Sequence, residues 1–295
     1  MAIESTIPTT SGTPAAPVAR VARPKPFSFH DYIVATGISL VLTLIGGVYL
    51  GIFRRTYLFN APPTADPFFV PNKIIIGTGI LMLGFTCLIG PIARYFDKFD
   101  RWIRYRKEIG VIGGFFALLH AFGSYLWLPK KFPHSTMDFT GVIYGAGLVA
   151  TFITIFLILI SAQKAVDLLG NKWWFLQRWG LRMLMVFAVI HVYVMKWSGA
   201  WVKWVMKGGG PSTPELPNGW LPGLGLLTGV FVTWVVIVRL YETIFIYKDI
   251  GWKPKEIQRD PKLRRHGRRF FIISFCLMIA TEIYMLTHWV SARPG

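Results

Sequence analysis

Long apolar runs recur along this chain, separated by short polar segments rich in Lys, Arg, Pro and Gly. A helix needs about 20 apolar residues to cross the hydrocarbon core of a bilayer. Seven runs meet that length, at roughly 32–53, 74–93, 109–128, 140–162, 177–197, 220–247 and 269–291. The pattern predicts an all-α fold, a polytopic transmembrane helix bundle of about seven spans. Span six is long enough to tilt or protrude. Span seven carries a carboxylate, Glu282, in its interior. Residues 1–28 are rich in Ser, Thr, Pro and Ala, bury too little apolar surface to order themselves, and read as a disordered tail. The run after Asp31 is too long for a cleavable signal, so the first span reads as an uncleaved anchor.

Composition agrees with the pattern. Of 295 residues, 53% are hydrophobic and 16% charged, against roughly a quarter charged in a soluble domain. Mean hydropathy is +0.48. The net charge of +18 would suggest nucleic acid in a soluble protein. Here the cations lie between apolar spans, where they set topology and meet anionic lipid head groups, so no nucleic-acid partner is expected. Alternate segments carry 22 Lys and Arg against nine on the other side. That bias places the N-terminus in the cytoplasm and the C-terminus outside, as in a bacterial inner membrane.

The loops hold no soluble domain. The longest, about 198–219, reads as an irregular external loop, and 248–268 as a basic cytoplasmic link. There is no P-loop, no GxGxxG after a strand, no CxxC and no CxxCH. A fused nucleotide-binding domain and a covalent c-type haem are thereby excluded. Cys87 and Cys276 fall inside apolar spans and read as small buried hydrophobes rather than a disulfide.

Candidate chemistry rests on the histidines. His30 and His266 lie in basic or tail sequence, and His134 lies in the external loop KKFPH. His120 and His191 lie inside spans three and five, about 18 Å and about 20 Å from the cytoplasmic starts at 1.5 Å per residue. An intramembrane histidine normally has a partner or a metal. Two at matched depth could hold one haem iron from both faces. Alternatively, each could bond a neighbouring helix carbonyl or line a polar cavity.

The strings around these histidines are specific. RKEIGVIGGFFALLHAFGSYLWLP, containing His120, and SAQKAVDLLGNKWWFLQRWG, leading to His191, resemble the ferric reductase-like transmembrane domain, and most of all the MsrQ haem proteins and STEAP metalloreductases. The likeness covers residues 94–197, about a third of the chain. It implies a haem-binding core within one bundle spanning 29–295. It further implies haem b, with His120 and His191 as axial metal ligands. Gln177 stands where most MsrQ proteins have a histidine, so the resemblance implies one haem rather than two. It also implies a flavin, FAD or FMN, at the cytoplasmic face. Arg106 and Lys107 could hold its phosphate, and Trp173, Trp174 and Gln177 could face its ring. The plainer alternative makes these tryptophans interfacial anchors and these cations topology signals.

Arg178 and Arg182, four apart on one helix face, could pair with a cofactor carboxylate or phosphate, or with inner-leaflet lipid. Lys196 could snorkel to water or pair with a haem propionate. Arg239 and Glu242, three apart, can pair locally. Glu282 could relay protons or pair with a neighbouring helix, and His288 follows it by six residues. The expected function is transmembrane electron transfer. Electrons would pass from a separate cytoplasmic donor, a flavin reductase or quinol, through one haem to an extracytoplasmic acceptor such as ferric iron or a periplasmic oxidoreductase. The alternative is a non-catalytic membrane subunit that keeps the bundle for partner or lipid binding.

Overall fold

The computed structural model describes residues 28–55, 67–127, 141–197, 216–247 and 261–287. Among them there is no strand. The helices are α1 (Phe29–Val48), α2 (Phe69–Tyr95), α3 (Arg106–Trp127), α4 (Val142–Leu159), α5 (Gln163–Leu169), α6 (Asn171–Lys196), α7 (Leu224–Tyr241) and α8 (Pro261–Thr287). Helices α1 and α7 run on into π-helical turns, Tyr49–Arg54 and Glu242–Tyr247. A 3-10 segment, Asp97–Tyr105, joins α2 to α3.

Six helices are long and apolar enough to cross a membrane, and α4 with α5 forms a seventh candidate bent by 90°. The seven apolar runs therefore correspond to seven helices. Helices α2 and α6 begin five and six residues before their apolar runs, and two further boundaries differ. Helix α4 ends at Leu159 and the chain turns sharply into α5, which sequence hydropathy merged into a loop. Helix α8 begins at Pro261, eight residues before the apolar run, so part of the basic link is helical. Proline suits that first position because the first helical N–H has no partner to lose. The N-terminal tail, His134, His288, the external loop through residue 215 and the basic link through residue 260 lie outside the described residues.

Helix α2 sits at the centre and packs against α1, α3, α6, α7 and α8. Small residues let it approach α3 closely. A Cβ on Gly79 would lie 3.1 Å from the Gly113 carbonyl oxygen, and one on Gly113 would lie 3.2 Å from the Gly79 carbonyl oxygen. In a bilayer, where lipid is as apolar as leucine, such backbone proximity is a main source of helix–helix attraction. Buried Leu83, Cys87, Leu88, Leu184, Met185, Phe231 and Val235 fill the space between α2, α6 and α7. Leu40, Val41, Leu44 and Ile45 on α1, and Ile273, Leu277 and Ile283 on α8, point outward. Apolar surface on this scale is what lipid covers in an integral membrane protein.

Four helices form a ring. Helix α2 packs on α3, α3 on α4, α4 on α6, and α6 returns to α2. Helices α3 and α6 thus stand on the diagonal and meet at most marginally. They carry His120 and His191 respectively.

Candidate functional site

His120 lies among the helices of this ring, and its imidazole is enclosed by them. Its Nδ1 is 3.1 Å from Oδ1 of Asn72 on α2. An amide oxygen can only accept, so Nδ1 carries the proton and donates. Nε2 is then the unprotonated nitrogen of a neutral ring, the form that binds a metal. Asn72 is 3% exposed and donates through Nδ2 to Ser124 Oγ at 2.8 Å, one turn beyond His120 on α3. One amide thereby fixes the tautomer of the histidine and the rotation of its helix. Sequence reading missed Asn72, which lies two residues before the apolar run that defined span two.

His191 approaches from α6. A Cβ on Gly147 of α4 would sit 2.9 Å from His191 Nδ1 and 3.0 Å from its Cε1. Only a residue without a side chain leaves room for the ring there. The two imidazoles are near enough for a charge on one to be felt by the other. The structure therefore brings together the two histidines that the sequence singled out. His30 and His266 are exposed, as expected, although each lies on a helix, α1 and α8 respectively. His30 lies 3.5 Å from Asp31 Oδ1 and 3.5 Å from Arg104 Nη2.

A second constellation lies at the basic end of the bundle. Glu242, 0% exposed, forms ion pairs with Arg239 on its own helix and with Arg94 at the end of α2. The expected local Arg239–Glu242 pair is present, but it is half of a three-residue network. Arg106 donates Nε to the Thr86 carbonyl at 3.0 Å. Arg94 Nη2 and Arg106 Nη1 approach the same point, 3.7 and 4.0 Å from where a Gly90 Cβ would be. Arg182 on α6 and the buried thiol of Cys87 share this neighbourhood with Arg106, Arg239 and Glu242. Pro91, one turn after Cys87, lacks the N–H that would bond the Cys87 carbonyl.

The other sequence candidates divide. Gln177 donates Nε2 to the Leu157 carbonyl at 3.2 Å and to Ser161 Oγ at 3.0 Å. Trp173 is buried and donates Nε1 to the Ile160 carbonyl at 2.7 Å. Both side chains thus tie α6 to the C-terminal end of α4, where helix carbonyls have no intrahelical donor. Trp174 packs edge-on against Trp173, with 4.9 Å between ring centroids. Lys107 makes no hydrogen bond or ion pair among the described residues, and Arg178 lies one turn before Arg182, within reach of its charge. Of the two cysteines, Cys87 is buried as expected, whereas Cys276 lies on the outer apolar surface. Glu282 is half-buried on α8 within electrostatic reach of Tyr49, whose hydroxyl donates to the Pro222 carbonyl at 2.6 Å.

Comparison with known proteins adds no relative: no family model matches this chain, and no curated protein matches it. Fold and geometry define an integral membrane helix bundle with two intramembrane polar centres. One is a histidine pair in a four-helix ring, the other an arginine cluster around a single glutamate.

Proposed function

We propose that this protein is a cytochrome b-type membrane electron carrier that holds one haem b between His120 and His191. The observation that carries the reading is the diagonal placement of the two histidine-bearing helices, with Nδ1 of His120 held by Asn72 and Nε2 left for a metal. Ligating histidines usually donate their other ring nitrogen to a fixed acceptor in this way. Among the described residues there is no group of three or more His, Cys, Asp or Glu that could hold a bare ion. His120 and His191 would hold haem, which needs fewer ligands from the protein than a bare ion. Gly147, having no side chain, lets the His191 ring pack close against α4, where it would help to hold the haem. When bound, haem supplies a one-electron couple that needs no nucleophile or general base from the protein.

In this reading the basic end is cytoplasmic, the membrane is a bacterial inner membrane, and the C-terminus lies outside. Electrons enter from a separate reductant, a flavin reductase or quinol, and leave to an extracytoplasmic acceptor, ferric iron or a periplasmic oxidoreductase. A flavin at the entry side, FAD or FMN, would draw on Arg106 for its phosphate, with Lys107 and Arg178 nearby. Gln177 and Trp173 would contribute less than the sequence suggested, because backbone carbonyls already occupy their donors.

The test is a visible spectrum of the full-length protein purified in detergent from haem-replete cells. The expected result is a Soret band with sharp reduced α and β bands, and one haem per chain by pyridine haemochrome. A folded protein with no Soret band overturns the reading and leaves the membrane-subunit alternative in its place.

A further inference from the structure

We propose that the clustered arginines at the basic end form a binding site for a phosphate-class oxyanion, carried by a phospholipid head group or by a soluble phosphate. Such a site is independent of haem at the histidine pair. Arg94 on α2, Arg106 on α3, Arg182 on α6 and Arg239 on α7 gather around Cys87. Among the described residues, Glu242 is the one carboxylate within electrostatic reach of Arg106, Arg182 and Cys87. Glu242 is already shared by Arg94 and Arg239, so Arg106 and Arg182 add positive charge between membrane helices, where an unbalanced charge is costly.

Hydrogen bonding points the same way. Arg106 spends Nε on the Thr86 carbonyl, and its two terminal nitrogens meet no acceptor among the described residues. Its guanidinium is enclosed by the bundle. Arg182 stacks on Trp179, 5.0 Å from the ring centroid, and its buried Nε has no acceptor. Arg239 is only 7% exposed, and its Nε is likewise without an acceptor. The buried indole N–H of Trp179 is a further orphan donor. Buried donors are nearly always satisfied in native structures, and Arg182 and Arg239, from different helices, lie within electrostatic reach of each other. A tetrahedral phosphate offers several oxygens and up to two negative charges, which suits several guanidinium forks at once. A single carboxylate or a chloride ion would satisfy fewer of them.

The experiment uses full-length protein in detergent and follows thermal unfolding by tryptophan fluorescence. Sodium phosphate is titrated against sodium chloride at equal ionic strength. Separately, phosphatidic acid is titrated into the micelles against phosphatidylcholine. The expected result is saturable stabilisation by phosphate, by phosphatidic acid, or by both. Arg182→Gln should raise the half-saturating concentration at least tenfold, and Lys172→Gln, on an exposed position of the same helix, should leave it unchanged. A response to phosphatidic acid alone assigns the site to lipid, and a response to phosphate assigns it to a soluble ligand. No saturable response to either, or equal responses in wild type and Arg182→Gln, overturns the proposal. Should Arg182→Gln not fold, phenylglyoxal labelling of the wild type gives the answer. Protection of Arg106 and Arg182 by the same ligand upholds the site, and unchanged labelling overturns it. Haem absorbance in these samples reports on the histidine pair separately.

Discussion

Replacing Asn72 by Leu removes one amide that serves two partners. The His120 Nδ1–H loses its acceptor at 3.1 Å, and Ser124 Oγ loses its donor at 2.8 Å. No water can readily replace an amide at a residue 3% exposed. A buried donor left unpaired costs about 1–3 kcal/mol. Loss of such an outer partner to a metal-bound histidine typically lowers metal affinity about 10–100-fold, or about 1.4–2.7 kcal/mol, so the two magnitudes agree. Asn72→Leu should therefore release haem roughly 10–100 times faster than wild type, measured by transfer to excess apomyoglobin. The midpoint potential should rise, because an imidazole that donates to no acceptor is a poorer donor to ferric iron. Asn72→Asp keeps an acceptor and adds negative charge, so it should hold haem and shift the potential downward. If Asn72→Leu lowers only the thermal stability of the bundle, with release rate and potential unchanged, Asn72 merely joins α2 to α3 and His120 is not the ligand.

His120→Ala and His191→Ala should each abolish stable haem binding, whereas His30→Ala and His266→Ala should leave the spectrum intact, all read as haem per folded protein. Gly147→Val should lose haem with little loss of helix content by circular dichroism, since even a Cβ there would meet His191 Nδ1 at 2.9 Å; retention of a wild-type spectrum would place the His191 ring elsewhere. Glu242→Gln strips Arg94 and Arg239 of their shared carboxylate and should destabilise the protein by about 3–5 kcal/mol, seen as a lower midpoint in thermal unfolding; a change under about 1 kcal/mol, the scale of an exposed pair, would refute a buried network. NADH or NADPH alone should not reduce the haem rapidly in the purified chain, checked by stopped-flow absorbance, because the sequence contains no recognisable dinucleotide-binding motif.

The spans were legible because each is a run of apolar residues whose length the bilayer dictates. The histidine pair was legible for a related reason: imidazole is conspicuous in a row of Leu, Val and Phe. Asn72 was not, since a polar residue beside the start of an apolar run looks like its boundary. The arginine cluster escaped for a different reason. Arg94, Arg106, Arg182 and Arg239 come from four helices, and the sequence offers them separate roles: a topology signal for Arg94, a cofactor phosphate for Arg106 and Arg182, and a local pair for Arg239. Only packing reveals that they converge. Gln177 has a role the sequence did not suggest. Its position suggested a cofactor contact, but the sharp turn after α4 exposes carbonyls that need donors, and Gln177 supplies one. That turn is invisible to hydropathy, which runs smoothly through Ile158 to Ala162.

The central position of α2 has a consequence for biogenesis. Its neighbours α1 and α3 are adjacent in sequence, but α7 begins only at Leu224, roughly 130 residues after α2 ends at Tyr95. At about 5–20 residues per second of synthesis, α2 waits on the order of 6–26 s for that partner. During the interval its polar atoms need local company. Thr78 finds Thr43 on α1 at 3.1 Å, Asn72 finds Ser124 on α3, and Thr86 bonds the Met82 carbonyl within α2. None of these waits for α7. The first three helices can therefore settle in the bilayer as a satisfied unit while the ribosome is still translating. Arg94 is the exception, because its carboxylate arrives with Glu242 near the end of α7. Until then that end of α2 has reason to stay at the membrane surface among lipid phosphates, and it is drawn inward only when the last partner is made.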